Sequence, residues 1–269
     1  MSDAGRGSLA AMVERAFGDG GPLAVTLPEF EPRPGQLAMA LAVAEAIENG
    51  RVLLSEAGTG TGKTLAYLVP AVLSRRRILV STHTKTLQEQ VFGKDLPELR
   101  RALGVPFTAT CMKGRGNYLC LHRFDAFREN PMTMAFADPE LVDALAEWAA
   151  GTDTGDRAEM EGLPDDVPIW PDIAATTENC LGGACPRIKE CFITRMRQRA
   201  AESDIVIVNH HLLCADASVR QNAYGEVIPE CHVAIIDEAH QLEDVATQYF
   251  GVSVSSYRVE DLARDGERL

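Results

Sequence analysis

Two short stretches of this chain hold residues able to do chemistry on a phosphate. In SEAGTGTGKTLAY (55–67), Gly58, Gly60 and Gly62 alternate with threonines and run into Lys63 and Thr64. Glycines reach backbone conformations closed to other residues, so their amides can curl around β- and γ-phosphate oxygens. Lys63 would neutralise those oxygens, and Thr64 would offer its hydroxyl to Mg²⁺ at the start of the following helix. The first position of the phosphate-loop pattern falls on Ala57 instead of glycine, a residue small enough to keep the turn. Nucleotide contacts are therefore expected from Ala57, Gly58, Thr59, Gly60, Thr61, Gly62, Lys63 and Thr64.

In VAIIDEAH (233–240), four apolar residues deliver Asp237 and Glu238 to the carboxyl end of a buried strand. That is where doubly wound sheets place their ligands. Asp237 is expected to hold Mg²⁺ through water, and Glu238 to polarise the water that attacks the γ-phosphate. Lys63, Asp237 and Glu238 form the expected catalytic set. Two adjacent carboxylates suit hydrolysis better than phosphoryl transfer to a small metabolite, so the sequence reads as an ATPase. A third stretch, ENCLGGACPRIKEC (178–191), supplies Cys180, Cys185 and Cys191. Tetrahedral metal and cluster sites usually need four ligands, and these are three.

Strands and helices must carry these residues to one place. PGQLAMALAVAEAIENG (34–50) has helical composition, with Pro34 at its start and Gly50 as a stop. A buried strand is expected at 51–57, a helix at 63–74, a strand at 76–82 and a helix at 84–92. Fully buried strands are expected again at 203–209 and 231–239. Strands alternating with helices imply a parallel sheet with helical crossovers. Between residues 107 and 202 the alternation breaks down, which marks a candidate inserted subdomain. Within it, residues 153–172 hold seven acidic residues against one arginine and read as a solvated loop.

The chain has 269 residues and a net charge of −13, which argues against a simple phosphate-coating nucleic-acid binder. Cations are nonetheless clustered at Arg75–Arg77, at Lys113 and Arg115, and from Arg187 to Arg199. No apolar run approaches the length of a membrane span, and the amino-terminal stretch does not read as a signal peptide. Cytoplasmic thiols or metal ligands, not disulfides, are the expected state of the seven cysteines.

Taken together, EAGTGTGKT, DEAH, RPGQ and STHTKTLQEQ resemble the superfamily-two DNA helicases related to XPD. KGRGNYLC, NCLGGACPRIKECF and VNHHLL narrow the resemblance to the DinG-type helicases and, within them, to the YoaA branch. The likeness runs from about residue 25 onward. It implies an α/β RecA-like lobe in two parts (25–106 and 203–269), preceded by an extension (1–24) and interrupted by an iron–sulfur insertion (107–202). It further implies that Gln36 reads the adenine edge and that the 81–90 segment touches the DNA backbone, with Thr82, Thr84 and Gln88 as candidates. Helix capping accounts for the threonines equally well.

Among the remaining cysteines, Cys111, Cys214 and Cys231 read as packed thiols, whereas Cys120 lies in a Gly-containing loop at the other end of the insertion. The spacing C-x59-C-x4-C-x5-C is the family pattern for a 4Fe–4S cluster on Cys120, Cys180, Cys185 and Cys191. Zinc is the rival occupant, although its sites favour tighter Cys pairs. Lys113, Arg115, Tyr118, Arg187, Lys189, Arg195, Arg197 and Arg199 would surround the cluster with a surface for single-stranded DNA. The resemblance implies an ATP- and Mg²⁺-dependent DNA helicase, moving 5′ to 3′ on single-stranded or forked DNA. It would work as a monomer in repair or replication, alongside replication or repair proteins and without a membrane. The chain stops about thirty residues after DEAH, before any second helicase lobe, so unwinding by this chain alone is not expected. Two other readings stay open, a non-catalytic cluster-bearing DNA-binding module and a P-loop ATPase with a zinc subdomain.

Overall fold

A computed structural model describes residues 8–251, apart from residues 29, 59, 161, 165, 177, 178 and 222–225. Thr59 of the expected nucleotide loop thus lies outside the described residues. Helices α1 (Leu9–Phe17), α2 (Pro22–Thr26), α3 (Pro34–Asn49) and α4 (Lys63–Ser74) lead into strand β1 (Ile78–Thr82). Helices α5 (Lys85–Gln90) and α6 (Leu96–Leu103) connect it to β2 (Ala109–Cys111). Then come α7 (Leu121–Glu129), α8 (Pro131–Ala135), α9 (Pro139–Gly151), α10 (Trp170–Ile173) and α11 (Phe192–Glu202). The chain returns through β3 (Ile205–Asn209), α12 (His210–Gln221), β4 (Val233–Ile236) and α13 (Leu242–Phe250).

The four strands form one parallel sheet in the order β2-β3-β1-β4. Period-2 alternation explains why both faces are covered. Ile78, Val80, Ile205 and Ile207 point into a core built with α1, α3, α4 and α6. Leu79, Val206 and Val208 point the other way, against Met112, Ile193, Met196 and Leu212. Local chemistry sets the element ends. Pro34 opens α3, where its missing N–H is not needed, and Gly50 closes it in the left-handed region at φ 62°. Thr84 caps α5 by accepting from the Leu87 amide.

Several expectations change. Residues 51–58 form no helix or strand and pair with no strand among the described residues, and Val52 and Leu54 are 94% and 91% exposed. An apolar run becomes a strand only where another strand supplies its hydrogen bonds. The free side of β4 is not met by this segment, and β4 itself is half-exposed rather than fully buried. The expected amino-terminal extension is no appendage, since Leu9, Val13, Phe17 and Leu23 enter the main core. At the other boundary, β2 belongs to the sheet although it falls within 107–202. The acidic loop, finally, is anchored as well as solvated. Val167, Ile169 and Trp170 join Leu119, Phe124, Leu145 and Phe192 in a separate apolar cluster, and Asp156 pairs with buried Lys113.

Candidate active site and cysteine group

The loop after residue 57 is shaped by its glycines where the backbone demands it. Gly60 and Gly62 adopt φ of 75° and 82°, in the left-handed region that other residues enter at a cost. A β-carbon at Gly62 would also run into the Gln36 amide. Gln36 is buried, and its Nε2 donates to the Gly62 carbonyl at 2.9 Å. Arg33 donates to the Gly60 carbonyl, and Thr61 Oγ1 donates to the Gly58 carbonyl at 2.8 Å. Lys63 then begins α4, whose free amides and dipole favour an anion. A cleft of about 350 Å³ opens beside the loop, lined among others by Gln36, Met39, Ala57, Thr61 and Lys63.

The acidic turn faces this loop. β1 and β4 pair in parallel, and the Asp237 amide donates to the Ser81 carbonyl at 2.9 Å, which fixes the turn at the sheet's carboxyl edge. Lys63 Nζ lies 2.8 Å from Glu238 Oε1. That hydrogen bond holds the lysine above its ordinary pKa and the carboxylate below the usual range. Glu238 sits at φ 52°, one of two non-glycine residues in the left-handed region among those described. Asp237 uses both oxygens: Oδ1 accepts from the Glu238 amide and Oδ2 accepts from Tyr67 Oη at 3.0 Å. Burial pushes the Tyr67 hydroxyl far up, so it remains a donor, and it also lies against Thr64. Tyr67 and Arg33 were not singled out by sequence. Their signals were position alone, one helical turn beyond Thr64 and the first residue of RPGQ.

The 81–90 segment departs from expectation. Thr82 and Gln88 are wholly buried, and Gln88 Nε2 donates to the Met112 and Ile207 carbonyls at 2.7 and 3.2 Å. Neither can touch DNA, whereas Thr84, Lys85 and Thr86 are exposed. Lys113 and Tyr118 are likewise withdrawn from the expected cationic surface. Lys113 is 4% exposed, between Glu89 and Asp156 at 2.8 Å each. Tyr118 is 2% exposed, with its hydroxyl accepting from the Lys113 amide. Arg187 pairs with Asp125 and Glu190. Arg115, Lys189, Arg195, Arg197 and Arg199 keep solvent contact.

The cysteines sit at element ends. Cys120 precedes α7, Cys191 precedes α11, and Cys185 follows the short turn Gly182–Ala184. Burial raises the Cys120 thiol first, and Cys185 and Cys191 are near enough to raise it further. Arg197 is half-buried among Cys180, Cys191 and Arg115, and its Nε has no partner among the described residues. Among the described residues, no group of three or more His, Cys, Asp or Glu is drawn together as tightly as a bound metal needs. Of the other thiols, Cys214 is buried, burial pushes Cys111 up to about 12, and Cys231 lies against the Pro229 carbonyl.

A parallel sheet whose carboxyl edge joins a glycine loop, its lysine and an acidic turn defines the nucleotide-binding class of α/β proteins. The model of the DEAD/DEAH box helicase family matches residues 38–117, and that of the DEAD_2 family matches residues 171–259. The ATP-dependent DNA helicase YoaA of Escherichia coli is 43% identical over 93% of this chain, and that of Haemophilus influenzae 42% identical over 94%. The ATP-dependent helicase DinG of Mycobacterium tuberculosis is 39% identical over 88%. The chain belongs to the DinG-like helicase family, in its YoaA branch. It spans 39%, 40% and 38% of the lengths of these three relatives. Among the described residues, no helix is long and apolar enough to cross a membrane.

Proposed function

We propose that this chain binds ATP with Mg²⁺ and drives an ATP-dependent DNA helicase that moves 5′ to 3′ in DNA repair or replication. The carrying observation is the Lys63–Glu238 pair, which sets the loop's cation and the turn's carboxylate face to face. An incoming phosphate competes with Glu238 for Lys63. Once released, Glu238 can accept a proton from the attacking water. Thr64 and Asp237 offer the oxygen donors that Mg²⁺ prefers, and the ion would neutralise charge between the β- and γ-phosphates. Tyr67, bonded to one and lying against the other, keeps the two donors in register. Gln36, which also lines the cleft, would read the adenine edge.

Cys120, Cys180, Cys185 and Cys191 would hold a 4Fe–4S cluster. The donor chemistry fits, because neighbouring thiols stand beside Arg115 and the unpartnered Arg197 Nε, two close cations that call for an anion. Such a cluster would tie α7 and α11 together and organise a region of irregular turns. The lobe would comprise 25–106 with β2 and 203–269, the 1–24 extension would complete its core through Leu9, Val13, Phe17 and Leu23, and the insertion would begin beyond Cys111. Single-stranded or forked DNA would run over Arg115, Lys189, Arg195, Arg197 and Arg199, and over the exposed 84–86 segment. The protein would act as a monomer in the cytoplasm, beside replication or repair proteins.

The test is ATP hydrolysis stimulated by single-stranded DNA and abolished in Lys63→Ala, with ATP binding weakened alongside. Nucleotide binding no better than in that variant would end the reading. Protein purified without oxygen should be brown, with about four irons and four acid-labile sulfides per chain. A colourless, zinc-loaded protein would remove the cluster.

A further inference from the structure

Beneath the acidic turn lies a buried polar group that phosphate chemistry does not use. His210 opens α12 and is fully buried, with Nδ1 2.7 Å from Ser81 Oγ. Ser81 is equally buried, and its carbonyl accepts from the Asp237 amide. One residue of β1 therefore holds His210 by its side chain and the acidic turn by its main chain. The other imidazole nitrogen, Nε2, is buried and closes no well-formed hydrogen bond among the described residues, although the Glu238 and Asp237 main chain lies close enough to favour its proton. What surrounds the ring is the main chain of Glu238 and Asp237, the Asp237 charge and the His83 ring, whose centroid is 6.0 Å away.

A hydroxyl and an imidazole in contact share one proton. Either Ser81 donates and Nε2 carries a hydrogen towards the Glu238 and Asp237 main chain, or Nδ1 donates and Nε2 offers a lone pair with no donor. A buried nitrogen without a well-formed hydrogen bond is costly, so the ring gains from a movement that brings a partner onto Nε2. The turn it faces places a non-glycine residue in a costly region of backbone space. Glu238 stays in the left-handed region while Lys63 grips its carboxylate. When phosphate takes Lys63, the turn can relax and its carbonyl can meet Nε2–H.

Resting on the reading above, we propose that His210 is a positioning residue which bolts the Asp237–Glu238 main chain to the end of β1. Nucleotide binding at the loop and DNA binding at residues 84–86, just beyond β1, then alter one another through Ser81 and His210. Neither residue touches nucleotide or DNA.

The experiment measures the affinity of this chain for a fluorescent ATP analogue, with and without saturating oligothymidine. In the unaltered chain the two values should differ at least about 5-fold, the lower range of site-to-site coupling. His210→Asn keeps an amide at the Nδ1 position only, and His210→Gln at the Nε2 position only. Each variant loses one of the two contacts, so the ratio should fall below about twofold in both, whatever happens to the affinity itself. Ser81→Ala should do the same, and it decides the matter if a His210 variant fails to fold. A merely structural histidine would weaken both affinities and leave their ratio intact, which overturns the proposal. An unaltered chain that binds both ligands without coupling also overturns it and leaves the helicase reading standing. Failure to bind ATP at all ends both.

Discussion

Around the phosphate loop, the polar groups that chemistry requires already have partners. Lys63 rests on Glu238, Asp237 on Tyr67, and Gln36 and Arg33 on loop carbonyls. Around the cysteines the reverse holds: thiols sit at the ends of turns, and Arg197 Nε is buried with nothing to bond. The first site is preorganised by backbone and sheet, so its ligand needs only to displace one side chain. The second is a set of donors whose final geometry waits on what they bind. Between them, Lys113 ties α5 to the acidic loop through Glu89 and Asp156.

Breaking that joint should have the largest effect. Lys113→Met leaves Asp156 largely buried and unpaired, and should lower the free energy of unfolding in urea by about 3 kcal/mol. If the regions are organised independently, nucleotide affinity should survive the change. Lys63→Ala should act the other way. It removes charged hydrogen bonds worth about 1.5–3 kcal/mol, a 10- to 100-fold loss of ATP affinity by titration, and leaves the urea midpoint almost unmoved. Gly62→Ala forces a side chain into the left-handed region against Gln36. It should cost about 1–2 kcal/mol in thermal unfolding and weaken nucleotide binding with it. The smallest change in stability belongs to exposed Cys180. Cys180→Ser should shift the metal-free chain by less than about 0.5 kcal/mol while abolishing iron and sulfide uptake, read by absorbance and metal analysis. A large loss of stability in the metal-free Cys180→Ser chain would contradict a cysteine site organised by its ligand.

What could be read from sequence follows the same division. Helices α3 and α4, strands β1 and β3 and the two nucleotide motifs announce themselves through apolar runs and Gly/Pro punctuation, which act locally. Residues 51–57 misled because an apolar run does not reveal whether a partner strand lies alongside. β2 is three residues long, too short for alternation to show. Lys113 looked like a surface cation because its buried role depends on Glu89 and Asp156, one in α5 and the other in the acidic loop. Ser81 and His210 are 129 positions apart, and only the parallel register of β1 and β3 brings them together. The left-handed Glu238 had no sequence signal, since neither type nor spacing marks a strained carboxylate.

The unpaired 51–58 segment and the open side of β4 bear on how the chain responds to temperature. Heat-capacity change on unfolding tracks apolar surface newly wetted, at about 0.45 cal/K/mol per Å². Val52, Leu54 and part of β4 are hydrated in the native state, so they add little when the chain unfolds. Calorimetry should therefore find that burying this face in a partner strand raises the heat-capacity change by only a few per cent of the usual value of about 12–15 cal/mol/K per residue. The exposed face thus barely alters how stability curves with temperature, and its cost is felt as unpaired backbone at one sheet edge.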